Sequence, residues 1–181
     1  MRIVLGLEYC GVGFCGWQSQ VQGCGVQDAL ETAIAAVADE KIRVTTAGRT
    51  DTGVHAAFQV VHFDTEVKRP LTAWVRGVNS HLPPGVAVLW AREAGEDFHA
   101  RFDAMQRGYR YVMLNHPVRP ALNHGLLGWY HHPLDAAAMN AAAALLIGQH
   151  DFTAFRAAEC QAKSPVKDVQ LLHIERRGDY L

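Results

Sequence analysis

A switch in apolar period constrains this chain more than any other feature. Ile3, Leu5 and Leu7 alternate with Val4 and Gly6 at the period of a strand, which predicts a strand over residues 2–8 buried on at least one side. Residues 9–25 then carry Gly11, Gly13, Gly16, Gly23 and Gly25, after which Val26, Leu30, Ala33, Ile34 and Val37 recur at helical spacing to about Ala38. The strand period returns over residues 42–47 and 58–63, on either side of a turn-rich loop at 48–53. Pro70 opens a second helix with the apolar stripe Leu71, Trp74, Val75 and Val78. Leu82-Pro83-Pro84-Gly85 ends it, and residues 86–90 read as a strand. The order β-α-β-β-α-β is the split βαβ, ferredoxin-like unit. It predicts an α+β fold whose mainly antiparallel sheet carries its helices on one face.

Beyond this unit the order restarts, with a strand expected over 109–115, an alanine-rich helix over 135–147 and a strand over 166–176. Arg177-Gly178-Asp179 then turns the chain and Tyr180-Leu181 begins a further strand. We therefore expect residues 1–103 to form an N-terminal ferredoxin-like half that holds the loop around Asp51. Residues 104–181 are expected to start a second, incomplete half that lacks a strand, a helix and another strand. Such a sheet would leave Val169, Leu171 and Leu172 near an open edge, and open edges recruit other chains.

Composition narrows the function classes. With 49% hydrophobic and 19% charged residues, the 181-residue chain has the make-up of a globular domain rather than a disordered tail. No apolar run approaches the ~18 residues of a membrane span. The N-terminus meets Glu8 too early for a signal peptide, so a mature cytoplasmic start is expected. Four cysteines, Cys10, Cys15, Cys24 and Cys160, form no C-x-x-C pair and read as reduced thiols. His116, His124, His131, His132, His150 and His173 offer no helical i, i+4 pair with a third ligand, so no metal is expected. The net charge of -1 excludes a globally basic binder but not a local patch. Lys41, Arg43 and Arg49 stand together without an acid, and Arg101, Arg107, Arg110 and Arg119 face Asp103 alone.

The chemistry gathers in A-G-R-T-D-T-G-V-H-A, residues 47–56. Asp51 falls on a glycine-flanked turn between two strands. Arg49 and His55 are positioned in sequence to keep its carboxylate ionised, as a nucleophile requires, although aspartate also serves simply to cap turns. Asp51-Thr52-Gly53 also spells the aspartic protease motif, which needs two carboxylates sharing a proton. One copy is present, so a protease would have to be a dimer, and Arg49-Thr50 would set a charge beside the dyad. Residues 107–111, R-G-Y-R-Y, place two tyrosines at one strand parity and Arg110 at the other. This combination suits an unstacked base beside its phosphate, as well as two tyrosines half-buried in a sheet.

Taken with Tyr9, Gly11, Phe14-Cys15-Gly16-Trp17-Gln18, Gly25-Val26-Gln27, Asn79, Leu82-Pro83, Phe98-His99-Ala100-Arg101-Phe102, Tyr109-Arg110-Tyr111, Asp151-Phe152-Thr153 and Phe155-Arg156, the sequence resembles the tRNA pseudouridine synthase A family. The resemblance implies isomerisation of uridine to pseudouridine at positions 38–40 of the tRNA anticodon stem-loop, by a cytoplasmic homodimer using no cofactor and no metal. It places the catalytic aspartate on Asp51 and the active-site tyrosine on Tyr109. Arg49 matches the arginine that helps extrude the target base, and Arg101 and Arg110 are assigned to backbone phosphates. His55 is assigned to the substrate side or to the turn itself. Two departures are Cys10 where the family has an aspartate and Thr52 where alanine is commoner. The family also continues past the strand beginning at Tyr180-Leu181, through a helix bearing an active-site arginine. The competing reading is a catalytically weak fragment that docks tRNA without chemistry.

Overall fold

A computed structural model describes residues 1–156 and 164–181, and Cys160 lies outside them. The chain divides into two compact units, Met1–Tyr109 and Arg110–Leu181.

The first unit is α+β. Its strands are β1 (Arg2–Tyr9), β2 (Thr45–Thr46), β3 (Ala56–Asp64) and β4 (Val86–Ala94). They form one antiparallel sheet in the order β2-β3-β1-β4. Between β1 and β2 runs α1 (Val26–Ala38), and before β4 a π-helical turn, Ala73–Gly77, leads into α2 (Val78–His81). This is the β-α-β-β-α-β order expected from the sequence.

The strand at the centre explains the rest. β1 has partners on both edges, and the alternation of Ile3, Leu5, Leu7 and Tyr9 sends all four side chains into one core with Leu30, Ile34, Trp74 and Val78 from the helical segments. Ile3, Leu5, Leu7, Leu30 and Ile34 are fully buried. Each such aliphatic side chain contributes roughly 1.5–3 kcal/mol of transfer free energy, which sets the helices on that face. α1 begins at Gly25, whose N–H is accepted by the Asp28 carboxylate at 2.9 Å, and ends at Asp39 in the left-handed conformation. On α2, the Asn79 amide bonds both backbone groups of Val88, fixing β4 beside the register shift in its pairing with β1.

The opposite face of the sheet is held by polar contacts. Arg2 forms a two-pronged ion pair with Asp64, and a third guanidinium nitrogen reaches the Phe98 carbonyl at 2.6 Å. Buried His62 accepts the Ala100 N–H on Nδ1 at 3.1 Å. Burial, with Arg2 and His99 nearby, lowers the His62 pKa below its ordinary 6.5, against the opposing pull of Asp64 and Asp103. A folded imidazole that resists protonation binds its proton later than the unfolded chain does. Its stabilising contribution is therefore full above about pH 6.5 and declines as pH falls below it. The melting temperature should drop between pH 7.5 and 5.5, and His62→Gln, which keeps an acceptor for Ala100, should flatten that drop. Parallel curves for parent and variant would remove His62 from the account.

The second unit holds β5 (Met113–Asn115) paired in parallel with β6 (Gly128–Tyr130), then α3 (Ala136–Ala144), and β7 (Gly148–Asp151) antiparallel to β8 (Val166–Val169). Asp135 caps α3 by accepting the N–H groups of Ala137 and Ala138. Three elements of this unit differ from their sequence-based bounds, as in the first unit does the strand expected over 42–47, which pairs only at Thr45–Thr46. The strand expected over 109–115 starts at Met113, so Tyr109 and Tyr111 precede it and their strand parity does not arise. The helix expected to residue 147 stops at Ala144, ahead of Gly148 at φ 96°. The strand expected over 166–176 stops at Val169, because farther along the backbone of Ile174 pairs with the Asn140 side chain of α3 instead of with a strand. Tyr180 bridges to Leu114.

Candidate active site

Asp51 sits in the loop from β2 to β3, and the stem of that loop is fixed first. The Gly48 carbonyl accepts the Gln59 amide at 2.6 Å and the Thr46 hydroxyl at 3.2 Å, while Arg107 donates to the Ala47 carbonyl at 2.6 Å. At the far side the Asp51 carbonyl accepts the Val54 N–H at 3.2 Å, closing a turn through Gly53 at φ 80°. The Asp51 side chain is exposed.

Behind this loop lies the glycine-rich stretch that follows β1. The Trp17 N–H donates to the Thr50 carbonyl at 2.9 Å, and the Tyr9 hydroxyl bonds Thr50 Oγ1 at 2.8 Å. The Gly11 N–H donates to Nδ1 of His55 at 3.1 Å. Two glycines make the approach possible. A Cβ on Gly11 would collide with the Val54 carbonyl oxygen, and one on Gly16 would stand 2.8 Å from that of Thr50. Gly16 adds a φ of 93°, in the left-handed region. The stretch is tied in turn to α1, through Val26 N–H to the Gly16 carbonyl and Gln27 N–H to the Trp17 carbonyl.

The expectation of reduced thiols is corrected here. Cys15 and Cys24 form a disulfide with Cα atoms 5.4 Å apart, and the Cys15 N–H bonds the Cys24 carbonyl, while Cys10 is free. A turn closed by the Gly23 N–H on the Gln20 carbonyl brings the two cysteines together, and residue spacing alone does not reveal it.

Of the residues singled out from the sequence, Arg49, Asp51 and His55 share this loop. Arg49 is exposed, and His55 is half-buried with Nδ1 engaged by Gly11. Arg101 is exposed on a separate segment of the first unit, and Tyr109, 81% exposed, is that unit's last residue. Arg110 is exposed and belongs to the second unit. Sequence reasoning did not put Arg107 or Tyr9 at the Asp51 loop, and it gave Thr50, which is part of that loop, no bond to Tyr9. The local arginine density around residue 107 was the one available signal for Arg107, and nothing local marked Tyr9. Among the described residues no three His, Cys, Asp or Glu side chains are placed to hold a metal ion. Among the same residues no helix is long and apolar enough to cross a membrane.

The arrangement is an exposed carboxylate on a backbone held from two directions, with Arg107 bonded to the stem of its loop and Arg49 two residues before it in the chain. Such a group can add to an electrophilic carbon or accept a proton from a ligand lying over the loop.

A family model described as tRNA pseudouridine synthase matches residues 5–103 and 142–181, so the Asp51 loop is inside the match and residues 104–141 fall between its two parts. The tRNA pseudouridine synthase A of Thiobacillus denitrificans is 74% identical over 181 residues, covering 100% of this chain and 70% of that protein. Its counterpart in Methylobacillus flagellatus is 65% identical over 178 residues, covering 98% of this chain and 68% of the relative. That of Dechloromonas aromatica is 60% identical over 179 residues, covering 99% and 68%.

Proposed function

The chain belongs to the tRNA pseudouridine synthase family, and from that premise we propose that it converts uridine to pseudouridine in tRNA with Asp51 as the nucleophile. The observation that carries the assignment is the mounting of Asp51: an exposed carboxylate whose preceding residue is anchored at both backbone and side chain, inside the segment that the family model matches. Proteins fix catalytic groups in this way because a loosely held nucleophile loses rate.

The chemistry is an isomerisation. The carboxylate adds covalently to the flipped nucleoside, at the base or at the sugar, and the N1–C1′ bond breaks. The freed uracil turns and bonds C1′ through C5; where the carboxylate had added to the sugar, this attack displaces it from C1′, and where it had added to the base it is eliminated from the ring afterwards. The C5 proton leaves and N1 gains a proton, so the product has the formula of the substrate. In this proposal Tyr109 stacks on the uracil and its phenol assists proton removal from C5. Arg49 fills the place the base vacates, His55 lines the substrate side of the loop, and Arg101 and Arg110 hold backbone phosphates. Uridines 38–40, a homodimer, a cytoplasmic site of action and the absence of a cofactor belong to the same proposal, on the strength of family resemblance. The aspartic protease reading gives way, because the loop it relied on lies within the synthase match.

Tritium release tests the proposal directly. A tRNA transcript tritiated at C5 of uracil should lose label to water in the presence of this chain. Binding without release would favour the RNA-docking alternative. The phosphate assignments have their own check. Arg101→Ala and Arg110→Ala should each weaken binding to similar extents across tRNA sequences and reduce the slope of log K against log salt by about one unit. An unchanged slope would remove that residue from the RNA interface.

A further inference from the structure

We infer that the Tyr9 hydroxyl is a positioning group for the nucleophile, acting on Asp51 through Thr50, an assignment that rests on the reading of Asp51 above. Tyr9 ends β1 with its ring in the core, 4% exposed and 5.8 Å from the ring of Trp17. For packing alone a phenylalanine fills that place. A phenol in a core is tolerated when its hydroxyl is bonded, and here the bond, 2.8 Å to Thr50 Oγ1, goes to the residue before Asp51.

Thr50 thereby has two anchors of different origin. Its side chain is held by the end of β1, and its carbonyl by the Trp17 N–H at 2.9 Å. With side chain and carbonyl both fixed, the peptide plane linking residues 50 and 51 cannot rotate freely, and that plane sets the direction in which the Asp51 Cα–Cβ bond leaves the loop. On the other side the Asp51 carbonyl is held by the Val54 N–H. The carboxylate is exposed, so burial in a core does not hold it. What the backbone fixes is the origin and direction of its Cα–Cβ bond, and Tyr9 is the strand-borne part of that restraint.

Tyr9→Phe should lower kcat for tritium release by about 10- to 100-fold while leaving KM for tRNA within about twofold, because misplacement of a reacting group by about 1 Å costs on that order. Thr50→Val should do the same, Thr50→Ser should retain activity because it keeps the hydroxyl, and the Tyr9→Phe/Thr50→Val double variant should be no worse than either single one. Amide exchange gives a readout independent of turnover: peptides spanning residues 48–55 should lose protection in Tyr9→Phe while those in α1 keep theirs. Parent-like kcat and parent-like exchange in Tyr9→Phe would overturn the inference. So would a loss of rate accompanied by equal loss of protection throughout the unit, which marks a purely structural role. The Asp51→Asn variant separates the two levels. An active Asp51→Asn defeats the nucleophile assignment, whereas an inactive Asp51→Asn beside a fully active Tyr9→Phe defeats this inference alone.

Discussion

Asp51→Asn should abolish pseudouridine formation and leave tRNA binding within a few-fold of the parent. The carboxamide has the shape of the carboxylate but no anionic oxygen to add to carbon, and no neighbouring group on the loop supplies another. Because nucleophiles act as part of a unit, the expected fall is on the order of 10⁴-fold or more, down to whatever binding and orientation alone provide. The fold has little reason to notice. Asp51 is exposed, and the turn it initiates is closed by its backbone carbonyl, which asparagine retains. Single-turnover tritium release and filter binding on the same preparations decide the matter. A variant within tenfold of the parent rate excludes Asp51 as nucleophile, and a variant that binds no tRNA moves it to substrate binding.

How much of this was readable in the sequence depends on the range over which each feature is determined. The first unit was legible because its signals are periodic: Ile3, Leu5 and Leu7 against Leu30 and Ile34 state both the elements and the faces that meet. The Asp51 loop was legible as a motif, since glycines and threonines between two strands announce a turn. What supports that loop was not. Tyr9 and Thr50 are 41 residues apart, and Gly11 and His55 are 44 apart. No local pattern says that the end of one strand carries a hydroxyl for a distant loop. The Cys15–Cys24 pairing escaped for a related reason, since a turn at Gln20 to Gly23 brings the two together.

The second unit was the harder case. A strand exists only where something pairs with it, and the tyrosines of residues 109–111 have strand propensity but stand ahead of the paired segment. Ile174 looked like strand from its apolar neighbours, yet a side-chain amide on α3 meets its backbone groups. β6 and β7 are three and four residues long, too short for a period to declare itself.

The support of Asp51 leads to the second large effect, which is steric. Gly16→Ala brings two penalties together. The residue stands at φ 93°, where a side chain costs roughly 1–2 kcal/mol, and its new Cβ would lie 2.8 Å from the Thr50 carbonyl oxygen and 3.1 Å from the Asp51 carbonyl carbon. Those neighbours are backbone and cannot swing aside as the end of a side chain can. Either residues 50–51 retreat, carrying Asp51 with them, or the glycine-rich stretch lifts and loses the Trp17 to Thr50 hydrogen bond. Both routes disturb the aim of the carboxylate, so turnover should fall about 100-fold or more, with a stability loss of about 2–4 kcal/mol in urea titration. Gly13→Ala supplies the control within the same stretch. It has nearly the same φ, 87°, but nothing within 4 Å of the added carbon, so it bears the conformational cost without the collision. Its stability should drop by about 1–2 kcal/mol and its turnover should stay near that of the parent. If Gly16→Ala and Gly13→Ala lose the same activity, contact with the Asp51 backbone is not what Gly16 provides. If only Gly16→Ala is crippled, the glycine is required because any larger residue would occupy the space into which the Asp51 loop is pressed.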